Sequence, residues 1–487
     1  MEFHALAPLF YFPRWYLNLT TCVNNLHYEK FQDGTVKCIE DEIPFEVPEG
    51  WCWTRLGSFF LTVTGSTPST KDASLYGTEY PFYKPTDLNA GYNVYCAEDS
   101  VSKKGYLSGR PLPKFSVLVT CIGATIGKTG YISNAGICNQ QINAILPNSE
   151  ILPAYTYFCM CSQYEQQQIC INSSATTLPI LNKSKFDNLL FPIPPKEQQS
   201  QIVDRIKSLL LFVENIQNNQ ETLKKTVAEA KSKILDLAIR GKLVPQDPND
   251  EPASVLIERI RAEKEELIKQ GKIKRNKKES VIFKGDDNSY YLRTESKAIE
   301  ITNELPYKIP DSWEWAKIGD IFQVNPRNKI EDLLEVSFIP MPLIDDGFSG
   351  KHTSEERVWR KVKSGFTHFM EGDIGIAKIT PCFENRKSVI FKNLKNGYGA
   401  GTTELHILRP YESTILPEYV LAYVKSSMFI SKGKQEFTGA VGQQRIGKDY
   451  LENSYFPIPP LEEQVRIVEQ ISTVYKQLNM ISDASLV

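Results

Sequence analysis

Apolar residues recur with alternating four- and three-residue spacing along two stretches of the chain. The first reads Ile202, Ile206, Leu209, Val213, Ile216, Gln220, Leu223, Val227, Ala230, Ile234, Leu237. This is an a/d heptad seam over about five heptads, with Gln220 as one polar position able to fix register. Proline and Glu197 suit the first turn, and Gly241 followed by Pro245 and Pro248 supplies the stop. A helix over residues 195–240 would be about 69 Å long, more than the roughly 30–35 Å diameter of a domain of ~150 residues. The second stretch, Ile467, Ile471, Val474, Leu478 and Ile481, keeps the same register to the end at Val487. Two such seams predict an antiparallel helix pair, a rod with a globular half at either end. A shorter helix is expected over residues 252–270, carrying Leu256, Ile260, Leu267 and Ile268. Residues 269–278 then hold six basic side chains and no acid. They read either as a solvated linker or as a phosphate-contacting arm.

Outside the seams the pattern is mixed. Strand-like runs lie at residues 116–122, 142–146 and 405–408, and helical runs at 153–168 and 417–429. Residues of about 44–190 and 306–455 therefore read as two α/β halves.

The chain repeats itself at the borders of these halves. Ile43-Pro44-Phe45-Glu46-Val47-Pro48-Glu49-Gly50-Trp51-Cys52-Trp53-Thr54-Arg55-Leu56-Gly57 returns as Leu305-Pro306-Tyr307-Lys308-Ile309-Pro310-Asp311-Ser312-Trp313-Glu314-Trp315-Ala316-Lys317-Ile318-Gly319. Phe191-Pro192-Ile193-Pro194-Pro195-Lys196-Glu197-Gln198 returns as Phe456-Pro457-Ile458-Pro459-Pro460-Leu461-Glu462-Glu463 without a gap. Two collinear matches at nearly one offset mark a tandem duplication: unlike inserts framed by like borders.

Composition narrows the function classes. The 487 residues are 41% hydrophobic and carry Lys+Arg 56 against Asp+Glu 58, so the chain is no polycation. Nine of ten cysteines precede residue 171, an arrangement that fits free thiols in a cytoplasmic protein better than a disulfide framework. Residues 5–19 contain two prolines and an arginine and read as neither signal peptide nor membrane span. Gly123-Ala124-Thr125-Ile126-Gly127-Lys128-Thr129 imitates a phosphate loop but has three residues between its glycines where four are needed. The five histidines and Cys159-Met160-Cys161 lack metal spacing. No catalytic or metal site is expected.

What remains are polar loops. Asn139, Gln140 and Gln141 in one half and Gln443, Gln444 and Arg445 in the other offer amide and guanidinium groups that pair bidentately with adenine and guanine edges. Ser66, Thr67, Ser69, Lys71, Lys84, Lys103, Lys104 and Lys128 are candidate phosphate contacts in the first half. Arg327, Lys351, Arg357, Arg360, Lys361, Lys378, Arg386 and Lys387 are the candidates in the second.

At this point the chain resembles the specificity subunits of type I restriction-modification systems. The bipartite repeat, the FPIPP-x-E-Q borders and Ile234-Leu235-Asp236-Leu237-Ala238-Ile239-Arg240-Gly241-Lys242-Leu243-Val244-Pro245-Gln246 carry the resemblance. So do Gly65-Ser66-Thr67-Pro68-Ser69, Lys378-Ile379-Thr380-Pro381-Cys382-Phe383-Glu384-Asn385, Gly401-Thr402-Thr403-Glu404-Leu405-His406 and Gly442-Gln443-Gln444-Arg445-Ile446. The resemblance adds Thr380, Asn385, Thr402 and Thr403 to the DNA-binding candidates. It implies two tandem α/β (α+β) target-recognition domains, at 41–195 and 279–460. A helical spacer and basic linker at 196–278 would join them, with an irregular segment at 1–40 and a short helix at 461–487. Pseudo-two-fold symmetry follows.

The resemblance further implies that the chain catalyses nothing and reads a split double-stranded DNA sequence. It would dock two methyltransferase subunits and endonuclease subunits that translocate DNA. S-adenosylmethionine, ATP and Mg would reside on those partners. Two departures from the family pattern stand out. The last helix has about 27 residues after Pro460 against about 45 in the central one, and residues 1 to about 25 match nothing in the repeat. A truncated or cassette-exchanged form, with a recombined start, is the expectation drawn from them. The competing readings are a coiled-coil scaffold for other cargo and a restriction-modification enzyme fragment.

Overall fold

The computed structural model describes residues 20–484 apart from 22–25, 32, 175–177, 276–278, 295–296, 412–413 and 441. The chain divides into two compact units, Met1–Asn215 and Ile216–Val487.

The first unit opens with an antiparallel meander of β1 (Thr20–Thr21), β2 (His27–Lys30) and β3 (Val36–Cys38). It continues through β4 (Cys52–Arg55), β5 (Thr62–Thr64), β6 (Tyr76–Tyr83), β7 (Asp99–Val101), β8 (Val117–Thr120), β9 (Thr129–Tyr131), β10 (Ile137–Cys138) and β11 (Ile142–Ile145). Helices α1 (Pro153–Met160) and α2 (Gln163–Asn172) and strand β12 (Leu190–Ile193) lead into the long helix α3 (Lys196–Ala238). The sheets order as β5-β11-β8-β9 and β10-β6-β7, with β6 and β10 parallel.

The second unit holds the last turns of α3 and helix α4 (Ala253–Lys269). A meander of β13 (Val281–Lys284), β14 (Tyr290–Arg293) and β15 (Ala298–Glu300) follows. Next come β16 (Glu314–Lys317), β17 (Phe322–Val324), β18 (Glu335–Ile339), β19 (Glu355–Val358), β20 (Thr367–Met370), β21 (Ile374–Ala377), β22 (Ser388–Ile390), β23 (Tyr398–Gly401) and β24 (Leu405–Pro410). Helices α5 (Pro417–Val424) and α6 (Ser427–Gln435), strand β25 (Tyr455–Ile458) and helix α7 (Leu461–Ala484) complete it. The sheet β17-β24-β21-β22 matches β5-β11-β8-β9 strand for strand, and β18 and β23 again pair in parallel.

The duplicated borders are where each unit closes on itself. Trp53 of β4 lies opposite Pro192 of β12, and Trp315 of β16 opposite Pro457 of β25. Both tryptophans are buried at 2% and 1% exposure. A buried glutamine one turn into each following helix locks the closure. Gln199 accepts from Leu152 N–H (2.7 Å) and donates to the Pro194 carbonyl (3.2 Å). Gln464 accepts from Leu416 N–H (2.8 Å) and donates to the Pro459 carbonyl (3.1 Å). Tyr155 and Tyr419 donate to the carbonyls of Pro192 and Pro457, and Trp51 and Trp313 to Gln198 Oε1 and Glu463 Oε2. The bonds recur because buried peptide groups need partners and the same side chains supply them twice.

Several expectations change. The segment expected to be irregular carries strands among its described residues: β1–β3 form a meander ahead of the first border as β13–β15 do ahead of the second, and Ile39 and Ile301 are both 2% exposed. The repeat was illegible there because strands of two to four residues carry little sequence pattern. The helical runs expected at 153–168 and 417–429 are helical, each as two pieces, with Ser162 and Ser426 capping the second.

The seam is met only in part. Ile202 and Ile206 are half-buried, and Ile202 packs on the first unit's core. In the second unit α3 and α7 run antiparallel. Tyr475 donates to the Lys231 carbonyl (3.0 Å), Lys231 donates to Asn479 Oδ1 (2.6 Å), and Leu235 faces Val468 and Ile471. Val227 and Ile467 are buried, and Leu223, Ile234, Leu237, Ile471, Val474 and Leu478 are half-buried. Leu209, Val213 and Ile216 are 48%, 49% and 41% exposed, and Leu210, Leu211 and Phe212 are exposed beside them. Lys231 already meets Asn479, so the five described residues of α7 beyond it cover about one and a half more turns of α3 and stop short of Ile216.

Candidate nucleic-acid interface

Three loops converge at one end of each four-stranded sheet, through the same backbone bonds in both units. In the first, residues 121–128 follow β8, 139–141 precede β11, and 174–180 lie between α2 and β12. Cys121 N–H bonds Gln141 O (2.7 Å), Leu181 N–H bonds Cys121 O (2.8 Å) and Gly123 N–H bonds Pro179 O (3.0 Å). In the second, residues 378–387 follow β21, 402–404 precede β24, and Thr438 and Arg445 pair across a returning segment. Lys378 N–H bonds Glu404 O (3.0 Å), Ile446 N–H bonds Lys378 O (3.0 Å) and Thr380 N–H bonds Gln444 O (2.9 Å).

In the first unit, Gly65 brings a fourth segment against the carbonyls of Cys138 and Asn139, where a Cβ would collide. Ser66 N–H bonds Cys138 O (2.8 Å), and Thr67 Oγ1 donates to Gln140 Oε1 (2.6 Å). Thr67 and Gln140 are exposed on this surface, and Gln141 is half-exposed. Asn139 is buried and spends its amide on Gln141, so it shapes the turn. Lys84, next to Tyr83 whose carbonyl receives Asn139 N–H, is ion-paired with Asp99. Lys128 donates to Asn89 Oδ1 (2.7 Å), on the far side of its loop. Ser69 Oγ accepts Lys71 N–H, and both residues are exposed on the loop before β6. Lys103 and Lys104 stand on a separate helical turn, where Lys104 pairs with Asp72.

In the second unit, Gln443, Gln444 and Thr403 carry side chains with no hydrogen bond among the described residues. Lys378 likewise makes no ion pair among them. These groups face solvent at least in part. Arg445, expected to read a base directly, is already spent. Its Nε and Nη2 grip Glu404 at 2.9 and 3.0 Å, and Nη1 bonds the Gln443 carbonyl. The Arg445 hydrogen bond holds the Glu404 carboxyl below the usual range. The pair braces the 438–445 loop, and its signal in sequence was hidden because Glu404 and Arg445 are 41 residues apart.

Thr402 Oγ1 accepts Glu404 N–H, and Thr380 Oγ1 is buried with no hydrogen-bond partner among the described residues. Asn385 is exposed on the loop. Lys387 departs from the expectation of a free phosphate contact: it donates to the Ile344 carbonyl (2.8 Å) and pairs with Asp346. Arg327 is exposed but engaged, donating to the Phe366 carbonyl (3.0 Å) beside His368. Arg357 lies over the Phe338 ring and pairs with Glu355. Arg386 is turned onto α3.

His406, the counterpart of Asn143 in the sheet, is buried and pushed below its ordinary pKa by desolvation, between Asn325 and the Ile446 carbonyl. Within the linker, Arg275 pairs with Glu265 and Glu279, so part of the basic run is neutralised; residues 276–278 lie outside the described residues. The loop at 123–129 leads into strand β9, not a helix.

Against known proteins, the model of the family described as "Type I restriction modification DNA specificity domain" matches residues 48–225 and 310–484, one match per repeat. The chain belongs to this family. It is 47% identical over 254 residues to the Escherichia coli type I restriction enzyme EcoAI specificity subunit and 46% identical over 254 residues to the EcoEI specificity subunit of the same organism. Each match covers 52% of this chain and 40% of the relative. The matched segment thus spans less than half the length of these curated relatives.

Among solved structures, the HsdS subunit from Thermoanaerobacter tengcongensis aligns with a TM-score of 0.52 at 16% identity, covering 91% of this chain and 94% of that one. A chain from a study of complex assembly and conformational transition of the type I R-M system aligns at 0.55 with the same identity and coverage. The specificity-family fold is thus shared at an identity that leaves the loops free to differ. The two matched spans each run from the tryptophan border into the helix after FPIPP, the elements that close each unit. Among the described residues no group of three His, Cys, Asp or Glu side chains could hold a metal ion, and no helix is long and apolar enough to cross a membrane.

Proposed function

We propose that this chain is the non-catalytic DNA-specificity subunit of a type I restriction-modification complex, reading a bipartite double-stranded target with one loop cluster per unit. The observation that carries this is the duplicated three-loop scaffold with non-equivalent side chains. Gln140 and Gln141 with Thr67 serve one half-site. Gln443, Gln444, Thr403 and Lys378, braced by the Glu404–Arg445 fork, serve the other. Amide side chains match the donor and acceptor pair of adenine in the major groove, and the lysine supplies phosphate contact. The antiparallel course of α3 and α7 in the second unit supports the finer reading of a helical rod that sets the distance between half-sites.

The exposed apolar turn at 209–213 supports docking of two methyltransferase subunits, joined by translocating endonuclease subunits in the cytoplasm. S-adenosylmethionine, ATP and Mg belong to those partners. The near-balanced charge leaves much of the phosphate grip to them. The deciding experiment is methylome sequencing of a host expressing this chain with its methyltransferase. A split, adenine-methylated motif is expected. Methylation without a split motif, or none from an assembled complex, overturns the reading.

A further inference from the structure

Arg386 ends the recognition loop 378–387 in a left-handed conformation (φ 56°) that residues with a Cβ rarely adopt. Its counterpart is Gly127. The bonds from Thr120 N–H to Lys128 O and from Ala377 N–H to Lys387 O place Lys128 and Lys387 at one position, and the residue before each has positive φ, 86° at Gly127. Glycine makes the same turn in the sister unit without strain. The arginine is therefore accounted for by what its side chain touches.

Those contacts lead to the helices. Nη2 donates to Ser232 Oγ of α3 (3.3 Å), Nε donates to the Lys425 carbonyl (2.9 Å), and the guanidinium lies 5.0 Å over the Phe348 ring. Phe348 meets Tyr475 of α7 edge-on, and Tyr475 bonds back to the Lys231 carbonyl. Ser232 shares a 2.6 Å bond with Ser427 Oγ at the start of α6, and Asp236 accepts Ser427 N–H (3.1 Å). Gly347 N–H bonds Asn385 O, and the Lys425 ammonium holds the Gly347 carbonyl. Arg386 thus fastens a loop of the recognition surface to both helices through neutral acceptors and a ring.

We propose that Arg386 is a positioning residue that sets how the second recognition domain sits on α3, and with it the number of unspecified base pairs between the half-sites. The proposal rests on the specificity reading above. It assigns spacing to a side chain at the domain–helix junction as well as to helix length.

Arg386→Gly is the informative variant, because it keeps the turn the sister unit makes with glycine and removes only the tether. The full chain is co-expressed with its methyltransferase in a host carrying a plasmid library of constant half-sites with gaps one and two base pairs shorter and longer. Wild type is expected to methylate one gap. Arg386→Gly should raise methylation at neighbouring gaps by about 5- to 10-fold, the scale of one lost hydrogen bond, with base identities unchanged. Ser232→Ala should shift the same profile in the same direction by less.

Gap profiles identical to wild type in both variants overturn the proposal. Altered base identities in the second half-site also overturn it, making Arg386 part of the reader. Loss of methylation at every gap by a variant that still assembles does so as well. Should Arg386→Gly fail to assemble, the Ser232→Ala profile decides by the same criteria. A wild-type complex with no split motif would instead defeat the specificity reading itself.

Discussion

Gln464→Ala should destabilise the second unit selectively. The side chain is fully buried and makes two bonds, accepting from Leu416 N–H at 2.8 Å and donating to the Pro459 carbonyl at 3.1 Å. Truncation loses both, each worth about 1 kcal/mol net. It also strands a buried N–H and a buried C=O, each at about 1–3 kcal/mol where water cannot reach. Partial access of water to the space left by the side chain recovers some of this, so the expected loss is about 3–4 kcal/mol. For a unit of about 250 residues that corresponds to a fall in melting temperature of roughly 6–12 °C.

Gln199→Ala removes the equivalent bonds in the first unit and a further one to the Glu150 carbonyl, and should cost as much or about 1 kcal/mol more. Native-state hydrogen exchange separates the two variants: Gln464→Ala should deprotect β16, β25 and α5, and Gln199→Ala β4, β12 and α1. A Gln464→Ala loss below about 1 kcal/mol, or deprotection spread evenly over both units, would show that the borders are not locked by these glutamines.

Three further outcomes are expected. Gln140→Ala should alter base preference in one half-site and Gln443→Ala in the other, by about 5- to 100-fold in methylation of the cognate sequence. Equal weakening of both half-sites by either variant would make them folding or phosphate contacts. Burial, and then Arg386, lower the Lys425 pKa to about 7, against the opposing influence of Asp345 and Asp346. The folded value lies below the ordinary 10.5, so the unfolded chain holds the extra proton between the two. Stability of the second unit should therefore rise with pH from about 7 towards 10 and stay level below that window. Lys425→Met should flatten the rise in urea midpoints between pH 6.5 and 9, and an unchanged slope would refute the assignment. Finally, Leu209→Asp with Phe212→Asp should leave the chain's own stability within about 0.5 kcal/mol, because both residues are exposed, yet abolish co-purification with the methyltransferase. Retained co-purification would remove this turn from the docking surface.

Local chemistry along the chain determined the elements and their borders. Heptad spacing marked α3 and α7, alternating and continuous apolar runs marked β8, β11 and β24, and the proline–tryptophan borders marked a duplication. These are legible because each depends on neighbours a few residues away. The polar triplets 139–141 and 443–445, which offer amide and guanidinium groups, stand at the converging ends of the sheets.

Tertiary structure decided which side chains in those loops are free. Arg445 is gripped by Glu404 across 41 residues, Lys387 by carbonyls of the 341–344 turn, Arg327 by Phe366, and Arg386 by α3. A basic or amide side chain looks the same in sequence whether it meets solvent or a buried carbonyl. Only the folded chain brings the competing acceptor within hydrogen-bond distance. The seam shows the same division: its period was set by the sequence, but burial is set by what packs against each position, so within the second unit Val227 is covered while Ile216 is 41% exposed.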